Sequence, residues 1–90
     1  MKVIKVSAVW CGACLIMNKR WKELNTKYNF ETISLDVDVD EDVVEKYNTG
    51  EKLPVFIFFD DENKELGRLI GEKSTSQIEE FIEGIKWRKY

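Results

Sequence analysis

The chain carries two cysteines, Cys11 and Cys14, three residues apart at the junction of two different patterns. Before them, Val3 to Val9 is rich in β-branched residues and reads as a buried strand, interrupted by Lys5 and Ser7. After them, Cys14, Met17, Trp21, Leu24 and Tyr28 recur at steps of three and four and mark one face of a helix running from Cys11 to about Tyr28. Two thiols at i and i+3 on the first turn of a helix lie on one side of it, close enough to join as a disulfide. The helix N-terminus supplies unpaired N–H groups and a partial positive charge, which favour a thiolate at the first cysteine. A strand that feeds directly into a dithiol-bearing helix gives reversible dithiol–disulfide chemistry a physical basis.

The rest of the chain repeats the alternation. Phe30 to Val39 reads as a second strand, with Ile33, Leu35, Val37 and Val39 alternating against Thr32, Ser34, Asp36 and Asp38. Asp40, Glu41 and Asp42 put negative charge at the start of a short helix, Asp42 to Tyr47, which Asn48-Thr49-Gly50 stops. Leu53 to Phe59 is the most apolar run and is expected to be a central strand. A polar turn, Asp60 to Lys64, leads to a returning strand, Leu66 to Ile70, with a bulge expected at Gly67. Ser74 to Gln77 fits a capping box, and the last helix, Thr75 to Lys86, carries Ile78, Phe81, Ile82 and Ile85 on one face. The tail, Trp87-Arg88-Lys89-Tyr90, is basic and aromatic, and Trp87 either packs back on the sheet or stays exposed. The order β-α-β-α-β-β-α predicts one α/β domain over residues 1–90, a four-stranded mixed sheet with three helices on its two faces.

Charge and composition narrow the chemistry. A net charge of −3 argues against a nucleic-acid partner, which wants a basic face. With 43% apolar residues the chain can bury a core, yet no apolar run reaches the length of a membrane span. The start, Met1 to Lys5, lacks the apolar core of a signal peptide, so a reducing cytoplasm is the expected compartment. There, two cysteines at this spacing read as redox-active rather than as a structural staple. A zinc site needs four ligands, and the chain has no His and no further Cys, so only a metal- or cluster-bridged dimer would complete one. Asp36, Asp38 and Asp40 lack the glycine and glutamate of a calcium loop, with Glu41 and Tyr47 at those positions, and read as a solvated strand edge.

Ser7-Ala8-Val9-Trp10-Cys11-Gly12-Ala13-Cys14 resembles the active-site segment of the thioredoxin family, usually Trp-Cys-Gly-Pro-Cys. Leu35 to Asp40 resembles the family's strand after the active-site helix, Leu53-Pro54 its cis-proline segment, and Gly71 the glycine lining its substrate groove. The resemblance implies a thioredoxin-like fold, short by the N-terminal strand and helix that full-length members place first. It implies a dithiol–disulfide oxidoreductase with no cofactor, acting as a monomer on disulfide-containing proteins and recharged by a thioredoxin reductase. Cys11 would attack, Cys14 resolve, and Trp10 pack beside the dithiol. Gly12 and Ala13 would allow close approach, and Leu53 and Pro54 would offer backbone hydrogen bonds to an extended substrate. A glutathione-dependent, glutaredoxin-like reductant is the alternative. Against it, the cysteines lack an intervening Pro-Tyr pair, and Gly71-Glu72-Lys73 differs from a glutathione site.

Three departures from the family pattern stand out. Ala13 replaces the usual proline, and Leu15 stands where many members have lysine. At the positions where the family commonly buries an Asp and often sets a Lys across from it, this chain has Lys5 and Asp36. Either Lys5 snorkels, or the two form a charge-swapped pair with Asp36 as proton acceptor for Cys14.

Overall fold

A computed structural model of the chain describes residues 1–86, so the tail from Trp87 to Tyr90, and the expectation for Trp87, lie outside the described residues. The elements follow the expected order: β1 (Lys2–Ser7), α1 (Gly12–Tyr28), β2 (Glu31–Asp36), α2 (Glu41–Glu45), β3 (Val55–Phe59), β4 (Glu65–Ile70) and α3 (Thr75–Lys86). They build a four-stranded mixed sheet ordered β2-β1-β3-β4. β1 runs parallel to β2 and antiparallel to β3, and β3 runs antiparallel to β4.

Burial explains the order. Every residue of β3 is buried, as a strand covered on both faces requires. On one face Val3, Phe56 and Phe58 pack with Met17, Trp21 and Leu24 of α1 and Ile78, Ile82 and Ile85 of α3. On the other, Ile4, Val6, Val55, Ile57 and Phe59 pack with Val44 of α2. Trp21 is the hub of the first cluster. Its ring meets Phe56 and Phe58 edge-on, at 5.6 and 5.7 Å between centroids, and its Nε1 donates to Thr32 Oγ1 at 3.0 Å.

Local chemistry sets the ends. Asn29 closes α1 in the left-handed conformation, φ 55°, which asparagine tolerates better than most residues. The Asn25 amide then bonds both the N–H and the C=O of Phe30, locking the chain reversal into β2. The capping box forms as expected: Ser74 Oγ accepts from Gln77 N–H while Gln77 Oε1 accepts from Ser74 N–H. The β3–β4 register slips between Phe58 and Phe59, setting Gly67 and Glu65 against them and leaving Leu66 as the extra residue. At Gly67 a Cβ would come within 2.9 Å of the Phe81 ring, so the bare backbone admits α3.

Two strands stop early. β1 ends at Ser7 and β2 at Asp36, so Val9 and Val39, expected in strands, lie in turns and are 81% and 80% exposed. The second helix begins one residue before its expected start and ends at Glu45 rather than Tyr47.

Candidate active site

The register brings four segments to one end of the sheet. Val6 pairs with Val55, so the loop after β1 and the Leu53-Pro54 segment before β3 leave the sheet side by side. Val55 pairs with Ile70, and Gly71 N–H donates to Pro54 O at 2.8 Å. Val37 N–H donates to Ser7 O at 3.0 Å, adding the turn after β2.

Cys11 is the N-cap of α1. Its backbone is extended, φ −94° and ψ 112°, and its Sγ accepts the Cys14 N–H at 3.2 Å. That is the bond a serine hydroxyl makes at an ordinary N-cap, here made by sulfur. Gly12 and Ala13 form the first turn, and nothing lies within 4 Å of a Cβ built on Gly12, so the approach to Cys11 is open.

The two thiols differ. Both are free; Cys11 is partly exposed and Cys14 is 1% exposed. Burial pushes the Cys14 thiol up to about 11, helped by its contact with Cys11, while the Ala8 backbone and the Lys5 charge act the other way. One sulfur is presented and the other held back, protonated.

Around the dithiol the surface is apolar. Val9, Trp10, Leu15 and Ile16 are all exposed, Trp10 by 66% and Leu15 by 65%. Trp10 Nε1 donates to Asp38 Oδ2 at 2.8 Å, which fixes the indole beside the cysteine loop. Asp38 reads in the sequence only as part of a solvated strand edge, because its partner stands 28 residues away and the β1–β2 register joins them. The Leu53–Pro54 bond is cis. Pro54 is buried and Leu53 partly exposed, so Leu53 is the more accessible of the two. Gly71 is buried at φ +84°, with Lys52 Cε 2.9 Å from where its Cβ would be. It anchors the proline segment.

The expected ion pair between Lys5 and Asp36 is not formed. Lys5 stands across from Ser34, and Asp36 lies two residues farther along β2, roughly 6.6 Å on for an extended strand. Asp36 Oδ1 accepts from Asp38 N–H, and Asp40 Oδ2 accepts from Asp36 N–H. The acidic run is thus a self-capped turn between β2 and α2 rather than a strand edge. Lys5 makes no ion pair among the described residues. Among those residues no group of three or more acidic or thiol side chains converges to hold a metal.

Comparison with known proteins decides the family. The thioredoxin family model matches residues 1–84.

The chain belongs to the thioredoxin family.

Among thioredoxins, it is 36% identical over 81 residues to thioredoxin H7 of Arabidopsis thaliana, covering 88% of this chain and 60% of that one. With the thioredoxin of Pongo abelii it shares 33% identity over 85 residues, 89% of this chain and 78% of the relative. In three dimensions it matches the reduced thioredoxin preprotein of Schistosoma mansoni with a TM-score of 0.79 at 31% identity, over 92% of this chain and 76% of that one. The chain spans between 55% and 60% of the length of three plant thioredoxins that it matches.

Proposed function

We propose that the chain is a thioredoxin-type dithiol–disulfide oxidoreductase in which Cys11 attacks and Cys14 resolves. The observation that carries this reading is the asymmetry of the pair: Cys11 Sγ is reachable and accepts the Cys14 N–H, while Cys14 is buried behind it. The Cys11 thiolate attacks one sulfur of a substrate disulfide. A Cys11–substrate bond forms, and the other substrate sulfur leaves as a thiolate and takes up a proton. Cys14 then loses its proton and attacks Cys11 Sγ, which breaks the mixed disulfide and frees the second substrate thiol. Two electrons pass from the dithiol to the substrate, and the protein is left with a Cys11–Cys14 disulfide.

The apolar rim suits a protein substrate, with the Leu53-Pro54 segment offering backbone hydrogen bonds to an extended chain. Both sulfurs come from one chain, so a monomer suffices. A thioredoxin reductase is the proposed electron donor, and the cytoplasm the proposed compartment. Among the described residues no helix is long and apolar enough to cross a membrane.

Insulin reduction driven by NADPH and thioredoxin reductase tests the reading. The parent chain is expected to turn over, Cys11→Ser to be inactive, and Cys14→Ser to accumulate a mixed disulfide through Cys11. Faster turnover with glutathione than with the reductase would move the chain to the glutaredoxin-like alternative. Failure with both donors, together with bound zinc or iron in the purified protein, would favour a metal-bridged dimer instead.

A further inference from the structure

We infer that the outer edge of β2 pairs with the same edge of a second copy of this chain, antiparallel and centred on Ile33. The pairing is independent of the dithiol chemistry, since each copy keeps both of its own sulfurs.

The sheet has two edges, β2 and β4. β4 carries devices that keep an edge from pairing: the extra residue Leu66, which breaks its register, and the charged pair Glu65 and Arg68. β2 carries neither. It pairs with β1 without a slip, and its middle, Thr32-Ile33-Ser34-Leu35, holds no charge and no proline.

Alternation along β2 shows which backbone groups are free. Val37 N–H donates to Ser7 O next to β1, so Ile33 and Leu35 also turn their backbone groups to β1. Those of Phe30, Thr32, Ser34 and Asp36 turn outward. At both ends the outward groups are already used. The Asn25 amide takes the N–H and C=O of Phe30. Asp36 N–H donates to Asp40 Oδ2, and Asp36 O accepts from the Val39 and Asp40 N–H groups. The N–H and C=O of Thr32 and of Ser34 meet no partner on that side among the described residues.

A second copy matches this set with nothing left over. Pairing about Ile33 sets Thr32 against Ser34 of the second copy, and Ser34 against its Thr32. Each of these pairs exchanges two N–H···O=C bonds. Moving the centre to Thr32 or to Ser34 sets a free residue against Phe30 or Asp36, whose groups are taken. With the centre at Ile33, Glu31 stands against Leu35, so no like charges on the strands face each other. Ile33, now 38% exposed, is covered by its own copy, with Cβ atoms about 4.5–5.5 Å apart.

The α1 layer leaves this edge open. Above it lies a groove of about 510 Å³ lined by Asn18, Lys22 and Thr26 of α1, Lys5 of β1 and Ser34 of β2. The lysines of both copies share the joined groove, so salt of about 0.15 M is needed to screen them. One six-residue edge is smaller than a standard interface, so the pairing is weak and reversible.

Analytical ultracentrifugation of the reduced chain, in excess dithiothreitol and about 0.15 M salt, tests the pairing without disulfide links. The chain is expected to pass from monomer to dimer, and no further, as its concentration rises toward the millimolar range. Amide exchange over the same series is expected to slow at least about fivefold at Thr32 and Ser34 and to stay unchanged along β4. Ser34→Pro removes an outward N–H and none that bonds β1, and Ile33→Lys sets two like charges together at the centre. Each variant is expected to weaken the dimer at least about tenfold while its circular dichroism stays that of the parent.

A monomer at every concentration, with fast exchange at Thr32 and Ser34 throughout, would leave the edge to a strand of another protein and overturns the proposal. Assemblies beyond the dimer would mean that β2 meets β4 of the next copy. A dimer that both variants leave intact would lie on another surface. Either result also overturns it, and none of these outcomes bears on the dithiol reading, which insulin reduction tests separately.

Discussion

Trp10 Nε1 donates to Asp38 Oδ2 at 2.8 Å, joining the residue before the dithiol to the turn after β2. The bond is exposed, so it contributes little to stability and much to where the indole stands. Asp38→Ala is expected to lower the rate of protein-disulfide reduction several-fold while changing unfolding free energy by less than about 1 kcal/mol. Steady-state kinetics and urea denaturation on one preparation check both parts.

Cys11 has two separable roles, cap and nucleophile. Serine at that position keeps an acceptor for the Cys14 N–H and loses the redox chemistry; alanine loses both. Cys11→Ala is therefore expected to be less stable than Cys11→Ser by about 1 kcal/mol, the ordinary worth of an N-cap. Denaturant midpoints of the two inactive variants measure the difference.

The two thiols are expected to react unequally. Iodoacetamide at neutral pH should label Cys11 and spare Cys14, which is buried and whose thiol is pushed up to about 11. Peptide mapping by mass spectrometry reads this directly. Because the folded value of Cys14 lies above its ordinary 9.0, the fold favours the protonated thiol. That contribution is complete below pH 9 and disappears as pH rises through about 11. The stability gap between the reduced parent and Cys14→Ala should shrink over that interval.

Trp21 carries the larger core. It is 3% exposed and packs on Phe56 and Phe58. Trp21→Ala is expected to cost about 3–5 kcal/mol, a large share of the stability of a domain this size. Thr32→Val, which removes the acceptor of the indole N–H together with the longer hydroxyl bonds to Asn25 and Phe30, is expected to cost about 1–3 kcal/mol, chiefly for the indole donor left unpaired. Thermal and urea unfolding rank them.

Arg68 joins two pieces of chain, bonding the Glu65 carboxylate on its own strand and the carbonyl oxygens of Tyr47 and Asn48 after α2. Its hydrogen bond and charge hold Glu65 below the usual carboxylate range. A lowered folded value means that the pair's stabilisation is present above the ordinary carboxylate pKa and lost as pH falls through the folded one. Glu65→Gln is expected to lose about 0.5–1 kcal/mol at neutral pH, allowing for solvent screening, and to match the parent in acid.

The parts of this molecule that sequence reveals are those encoded locally. Stepwise apolar spacing marked α1 and α3, the Ser74–Gln77 pair marked a helix start, and the run from Leu53 to Phe59 marked the central strand. Val9 and Val39 misled because a β-branched residue at a loop beside the site looks like one more strand residue. Lys5 and Asp36 misled for a different reason. Their face of the sheet is shared, but the β1–β2 register offsets them, and the turn after β2 engages the Asp36 carboxylate through the Asp38 N–H. Asp38 and Asn18 acquire their places only through contacts between elements, which no spacing in the chain announces.

The central claim, a reversible Cys11–Cys14 couple, is tested most directly by equilibrating the protein in redox buffers of graded potential, quenching with acid and counting free thiols by alkylation and mass. The account predicts that both thiols vanish together within single chains, along a two-electron curve of about 30 mV per tenfold change in ratio. Thiols lost one at a time, paired between chains, or untouched across the range would contradict it.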